Sequence, residues 1–268
     1  MRKSFSIKPG EDFVSRFIFG LGNIRSCVYK QKDSNTYDKS FNRCFQNLVE
    51  MRLAKEKVTE LVAGHLKKVE NKEDGLYHGN QIDVENPIDD DLNLFFKDFF
   101  IRGSMAIDGL KKHAEFMELK IDFLFSDQDK AFAKGLKKFP LEETDERFES
   151  LLNFIKNHKK SWYSDFRELR RKIEHEGWSL EDVKYYLDTK DNVKVVVPNI
   201  QEREMLVLLN HYWNIINIFC EEIVTFLLGL KLNDDMYIHY IPEDKRDKNT
   251  PVRYIVSHKS MPGVRINC

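Results

Sequence analysis

The chain is short of the residues that punctuate or cross-link a fold. It has only 12 glycines and 7 prolines in 268 residues, and 32% of its residues are charged against 41% hydrophobic. That balance excludes a disordered low-complexity chain and favours long helices with few tight turns. The four cysteines, Cys27, Cys44, Cys220 and Cys268, are widely scattered. No C-x-x-C pair and no His/Cys set at zinc-ligand spacing occurs, so the expectation is free thiols, no metal and no cofactor. Nowhere do about 18 uncharged apolar residues run together, which excludes a helical membrane span. No apolar run of secretory type follows Met1-Arg2-Lys3-Ser4-Phe5-Ser6, so the cytoplasm is the expected compartment. The formal net charge is −1, which gives no global positive field for nucleic acid. Any RNA contact must be local, at clusters such as Lys137-Lys138, Lys159-Lys160 or Arg170-Arg171-Lys172. No G-x-x-x-x-G-K-[ST] or G-x-G-x-x-G is present, Gly20-Leu21-Gly22 is too short to count, and there is no repeat of fixed period.

What is present is helical periodicity. Phe13, Phe17, Ile18 and Leu21 suit a short helix, and residues 31–40 read as a polar loop. From Phe41 to about Val69, apolar residues recur every three or four positions. Asn71 to Pro87, with Asp74-Gly75 and His78-Gly79-Asn80, reads as a connection, and a second helical pattern runs from about Asp89 to Phe125. Gly103 and Gly109 inside it mark close packing or a bend. Asp127 to Thr144 is polar. Phe148, Leu151, Ile155, Trp162, Phe166, Leu169 and Ile173 then share one helical face, with Gly177 placed as the C-terminal cap. Residues 183–197 switch to a β-hairpin pattern. Pro198-Asn199 before Glu202 suits a helix start, and the strongly apolar helix that follows ends at Gly229. Met236 to Ile241 and Val252 to Val256 read as short strands. The expected fold is mainly α, an up-and-down helical bundle over 88–230 with a hairpin at 183–197. An N-terminal helical extension and linker (1–87) precedes it, and a β-containing tail (231–268) follows.

One constellation carries chemistry. Arg170 stands five positions before His175 at the end of the best-defined helix. Arginine holds phosphate oxygens as a fixed cation, and histidine moves protons near neutral pH. Chance alone supplies about one arginine followed by a histidine five to seven positions on in a chain of this composition, and Arg253/His258 is a second example. Only Arg170/His175 sits at the end of a long core helix.

A helical bundle with Arg-x4-His near a helix end, then a glycine and an aromatic residue, resembles the HEPN superfamily (higher eukaryotes and prokaryotes nucleotide-binding domain). The likeness covers roughly residues 88–230. It implies a HEPN-like bundle with Arg170 and His175 as the motif pair. It also implies a metal-independent endoribonuclease of bacterial defence or toxin–antitoxin type, acting as a homodimer, with a nucleotidyltransferase-like antitoxin as a possible partner. Arg171 stands where active members usually carry Asn or Asp, and Gly177 where toxin members often carry tyrosine.

In that chemistry the RNA 2′-hydroxyl is the nucleophile, His175 exchanges protons, and Arg170 stabilises the phosphorane charge. Arg167, Arg171 and Lys172 are the candidate substrate-binding residues. On an ideal helix Arg170 and His175 lie about 140° apart, so a loosened helix end or a two-fold dimer is needed to bring them together. Two rival readings stand beside this. One is a non-catalytic HEPN-like module that binds a nucleotide, RNA or a protein. The other is a solvated helix end whose cations pair with Glu174 and Glu176. Elsewhere, Glu115, Glu118 and Asp122 read as a solvated face, and His113 as a structural histidine. Trp162 and Trp213 read as core residues, and Asp89-Asp90-Asp91 as an acidic helix start.

Overall fold

A computed structural model describes residues 12–29, 31–71, 75–78, 81–84, 87–126, 128–187 and 193–266. The protein is mainly helical with small antiparallel sheets. It divides into two compact units that draw on the same helices. The first contains Met1–Phe45, Ile107–Ser161 and Asn217–Cys268, and the second Gln46–Ala106 and Trp162–Ile216.

In the first unit, α1 (Asp12–Val14), a π turn (Ser15–Gly20) and α2 (Leu21–Val28) form one helical run. It is followed by the start of α3 (Gln31–Glu70). Residues 31–40, expected to be loop, are therefore helix. The physical reason is burial: Tyr37, Phe41 and Cys44 share one face and are all buried, and this outweighs the polar local sequence. The hairpin β1 (Gly75–His78) and β2 (Gln81–Val84), in the second unit, replaces the connection expected over Asn71 to Pro87. Its sequence signal is the two-residue Gly79-Asn80 spacer between the paired runs.

The helix α4 (Asp89–Phe116) opens with its three aspartates but stops earlier than its apolar pattern. Glu118 adopts a left-handed φ of 63°, and the Leu119 N–H reaches back to the Ala114 carbonyl at 2.9 Å. The apolar pattern continues in a 3-10 turn, Asp122–Phe125. The polar stretch beyond it contains α5 (Asp129–Leu136), which the sequence reading missed. Its Phe132 ring lies 5.6 Å from Phe123. A glycine at 135 is required, because a Cβ there would sit 2.1 Å from the Phe123 ring.

The long helix expected up to Ile173 is present as one continuous helical run with a π segment inside it. Helix α6 (Glu146–His158) is capped by Asp145, whose side chain accepts from the Arg147 N–H. A π turn (Lys159–Tyr163) then leads into α7 (Ser164–His175). Gly109 marks close packing, as expected: a Cβ there would lie 2.9 Å from the Cys44 backbone nitrogen.

In the second unit, Phe100, Phe166 and Tyr212 form an aromatic triangle with centroids 5.2 to 5.5 Å apart. A Cβ at Gly103 would meet Phe166 at 2.8 Å. The hairpin β3 (Lys184–Leu187) and β4 (Val193–Val196) pairs antiparallel, as its alternating pattern predicts; the expected turn at 188–192 lies outside the described residues. Where a helix start was expected, β5 (Asn199–Ile200) and β6 (Arg203–Glu204) form a minimal hairpin. Gln201 and Glu202 occupy left-handed backbone, with φ of 53° and 63°. The apolar helix α8 (Met205–Gly229) follows, and its second half belongs to the first unit. The tail of that unit pairs β7 (Met236–Tyr240) with β8 (Tyr254–His258).

The cysteine expectation needs one correction. Cys27 is disulfide-bonded, whereas Cys44 and Cys220 are buried free thiols. Spacing along the chain does not report separation in space, so a bridge needs no C-x-x-C. No helix among the described residues is long and apolar enough to cross a membrane.

Candidate functional site

The candidate site lies wholly in the second unit, at the end of α7. Phe166, Leu169 and Ile173 bury one face of this helix, which fixes its rotation and turns the intervening charged positions outward. Gly177, with φ of 64°, ends it, and both the Glu176 and Trp178 N–H groups point to the Lys172 carbonyl, at 3.1 and 3.4 Å. The glycine cap expected from sequence is therefore in place.

Arg170 and His175 converge on one carboxylate oxygen. The Arg170 Nη2 lies 2.6 Å from Glu174 Oε2, and the His175 Nε2 lies 3.6 Å from that same oxygen. The second distance is too long for a hydrogen bond. Glu174 thus bridges across the 140° that separates Arg170 and His175 on an ideal helix. The His175 side chain is 64% exposed, against 32% for Arg170. The Arg170 Nε is buried and has no hydrogen-bond partner.

The three candidate substrate-binding residues are also engaged. Arg171 forms an ion pair with Glu176. Lys172 lies 2.8 Å from Glu168, which holds the exposed Glu168 carboxyl below its ordinary range through a hydrogen bond and charge. The Arg167 guanidinium lies 5.7 Å from the Tyr163 ring centre. The Arg170–Glu174 and Glu168–Lys172 pairs are what the i, i+4 pattern predicts, whereas Arg171 reaches five positions on, to Glu176 past the helix end.

Beside α7 is a hollow of about 260 Å3, lined by Leu169, Lys172, Trp178, Asn199 and Gln201 among others. The Tyr212 hydroxyl donates to Gln201 Oε1 at 3.3 Å, and burial, followed by the nearby Asp165 charge, pushes the Tyr212 pKa up to about 12. Tyr212 is therefore a neutral donor that fixes the Gln201 amide. This hollow was missed in the sequence. Its only signal was an aromatic residue, Trp178, just past a helix cap.

The competing Arg253/His258 pair belongs to a different kind of structure. Arg253 donates to Glu221 at 2.8 Å and to Glu222 at 2.7 Å, while His258 Nδ1 lies 2.6 Å from Ser260 Oγ. The two side chains are committed to separate partners on a strand. The other structural readings also fit, except that Trp213, expected in the core, is only half-buried. His113 is fully buried with its Nδ1 3.0 Å from Ser40 Oγ. Trp162 is buried, and the Asp89 carboxylate accepts from the Val183 N–H at 2.7 Å. No group of three or more metal-ligating side chains occurs among the described residues. No protein-family model, curated protein or solved structure matches this chain.

Proposed function

We propose that this chain is a metal-independent endoribonuclease with His175 as general acid/base and Arg170 as the phosphate-stabilising cation. The observation that carries the reading is the convergence of both groups on Glu174 at an exposed helix end. In the resting protein Glu174 occupies the position that a scissile phosphate would take, since both are anions that draw on Arg170. An arriving phosphate exchanges with Glu174 and takes its place on the Arg170 Nη2.

The steps use groups of two copies of the chain and of the RNA, the proton for the 5′-oxygen coming from the second copy's His175. His175 removes the proton of the 2′-hydroxyl, and the 2′-oxygen attacks the adjacent phosphorus. The bond to the 5′-oxygen breaks, and that oxygen takes up a proton. The products are a 2′,3′-cyclic phosphate and a 5′-hydroxyl. General acid–base transfer of this kind contributes typically about 10²–10⁴-fold. Lys172 and the hollow between Trp178 and Gln201 provide a seat for nucleotides flanking the cut. A two-fold homodimer that juxtaposes two such helix ends supplies the second proton-transfer group. The role in bacterial defence or toxin–antitoxin control, and a nucleotidyltransferase-like partner, follow from the HEPN resemblance of residues 88–230 alone.

The test is to incubate the purified protein with a single-stranded RNA in EDTA and analyse the product ends. Cyclic-phosphate and 5′-hydroxyl termini, lost in Arg170→Ala and His175→Ala, support the reading. Undiminished cleavage by His175→Ala overturns it.

A specific observation favours a second reading, that of a non-catalytic HEPN-like module. Arg170, Arg171 and Lys172 already have carboxylate partners, an arrangement that suits binding of a nucleotide, RNA or protein without chemistry. RNA binding without cleavage selects it.

A further inference from the structure

The hollow beside α7 carries a more specific set of groups than a seat for any nucleotide requires. Trp178 is half-buried and lines it, and its ring rests on Phe96 with centroids 5.7 Å apart. A braced aromatic ring of this kind stacks on any nucleobase. The selective groups are polar. Ser179, Glu181, Asn199 and Gln201 line the same hollow, and all four residues are exposed. A ligand that enters the hollow therefore reaches them.

Gln201 supplies a donor. The Tyr212 hydroxyl occupies its Oε1 at 3.3 Å, which leaves the Nε2–H2 end of the amide without a partner among the described residues. Gln201 and Glu202 hold this place on left-handed backbone, with φ of 53° and 63°, where a two-residue hairpin turn ordinarily carries Asn-Gly. Backbone strain of this sort gathers at binding sites. Glu181 supplies the opposite chemistry, two carboxylate oxygens that only accept. Its present partner is the Lys184 Nζ at 2.9 Å, and the Glu181 side chain is 70% exposed. A pair so open to water is weak and exchanges readily for another donor.

We propose that this hollow is a guanine seat, selective for that base in an RNA strand or a guanine nucleotide. The base stacks on Trp178, its N1–H and N2–H2 donate to the Glu181 carboxylate, and its O6 accepts from Gln201 Nε2. Among the four bases only guanine presents two adjacent N–H donors beside a carbonyl on its Watson–Crick edge. Uracil has one N–H between two carbonyls, and adenine and cytosine each have one amino group beside acceptors. A carboxylate next to an amide donor therefore satisfies guanine and leaves the others with unmatched groups. The proposal deepens the ribonuclease reading and rests on it only for the scissile phosphate that adjoins the seat.

The test measures binding to the full chain by fluorescence anisotropy at fixed salt. The probes are labelled 2′-O-methyl hexauridylates, which bind but have no 2′-hydroxyl to react. One position carries guanine, adenine, cytosine, hypoxanthine or the original uracil. The expected result is that the guanine probe binds at least about tenfold tighter than the adenine, cytosine and uracil probes. Hypoxanthine, which lacks the 2-amino group, falls about tenfold below guanine. Glu181→Ala brings the guanine probe down to the level of the uracil probe with Tm unchanged. Gln201→Asn, which suits left-handed backbone but is one methylene shorter, narrows the preference at least about threefold. Competition with guanosine monophosphate separates the sources: displacement at concentrations matching the probe assigns the seat to a free nucleotide, and displacement only far above them assigns it to an RNA strand. Equal binding of all five probes, or a guanine preference that survives Glu181→Ala, overturns the proposal whether or not RNA is cut. Guanine-selective binding by a protein that cuts no RNA overturns the ribonuclease reading and leaves the seat standing.

Discussion

Two clusters of opposite charge in this molecule use the same residue types to opposite ends. In the first unit, the Glu221 carboxylate is 1% exposed. It accepts from the Arg16 Nε at 2.8 Å and from the Arg253 Nη1 at 2.8 Å. It thereby joins the N-terminal helical run and strand β8 to helix α8. In the second unit, Arg170, Arg171 and Lys172 pair with glutamates on an open helix end. A buried charge that loses its partner has no water to turn to, so the Glu221 network is fixed. An exposed ion pair is worth only about 0–1 kcal/mol and exchanges readily for a phosphate. The first cluster therefore holds the fold, and the second is the one able to take a ligand.

The sharpest way to break this contrast is Glu221→Ala, which removes the buried carboxylate shared by Arg16 and Arg253 and leaves them only their outer partners, Asp12 and Glu222. We expect a loss of about 3–5 kcal/mol in denaturant unfolding. Replacing Arg16, Glu221 and Arg253 together by apolar residues of similar volume should restore most of it. The next largest effect concerns pH. Burial pushes the His113 pKa down from 6.5 to about 4. The unfolded chain thus binds this proton more readily between those values. Stability is flat above about pH 6.5, falls as the pH drops towards 4, and loses about 3 kcal/mol across that window. A His113→Phe variant should lack this slope in unfolding measured from pH 7 to pH 4. Gly109→Ala should cost about 1–3 kcal/mol despite its better helix propensity, because the new methyl meets the Cys44 backbone. The smallest effect belongs to the open cluster: Glu174→Gln should change stability by less than about 1 kcal/mol. It should tighten RNA binding about two- to fivefold by releasing Arg170, measured by fluorescence anisotropy at fixed salt.

The sequence made legible those features that local chemistry decides. Gly177 was placed because only a left-handed cap ends α7 there, and β3 and β4 because their apolar positions alternate. The β7 and β8 strands and the end of α8 were legible for similar reasons. Features set by tertiary contact were not. The first turns of α3 look polar until Tyr37 and Phe41 are seen to be buried, and α5 depends on Phe123 from a neighbouring turn. The π turn between α6 and α7 widens the helical run without ending it and leaves apolar spacing nearly intact. At the candidate site, Arg170, His175 and the pairing with Glu174 were readable from helical spacing. The Trp178–Gln201 hollow was not, because residues more than twenty positions apart form it.

The central claim is that the open cluster performs chemistry while contributing little to stability. The direct measurement is the single-turnover cleavage rate of a fluorescent single-stranded RNA in EDTA, set beside Tm, for wild type and His175→Ala. The account predicts a rate loss of at least about 100-fold with Tm essentially unchanged. An equal rate in both proteins, or a loss that merely follows a fall in Tm, would contradict it.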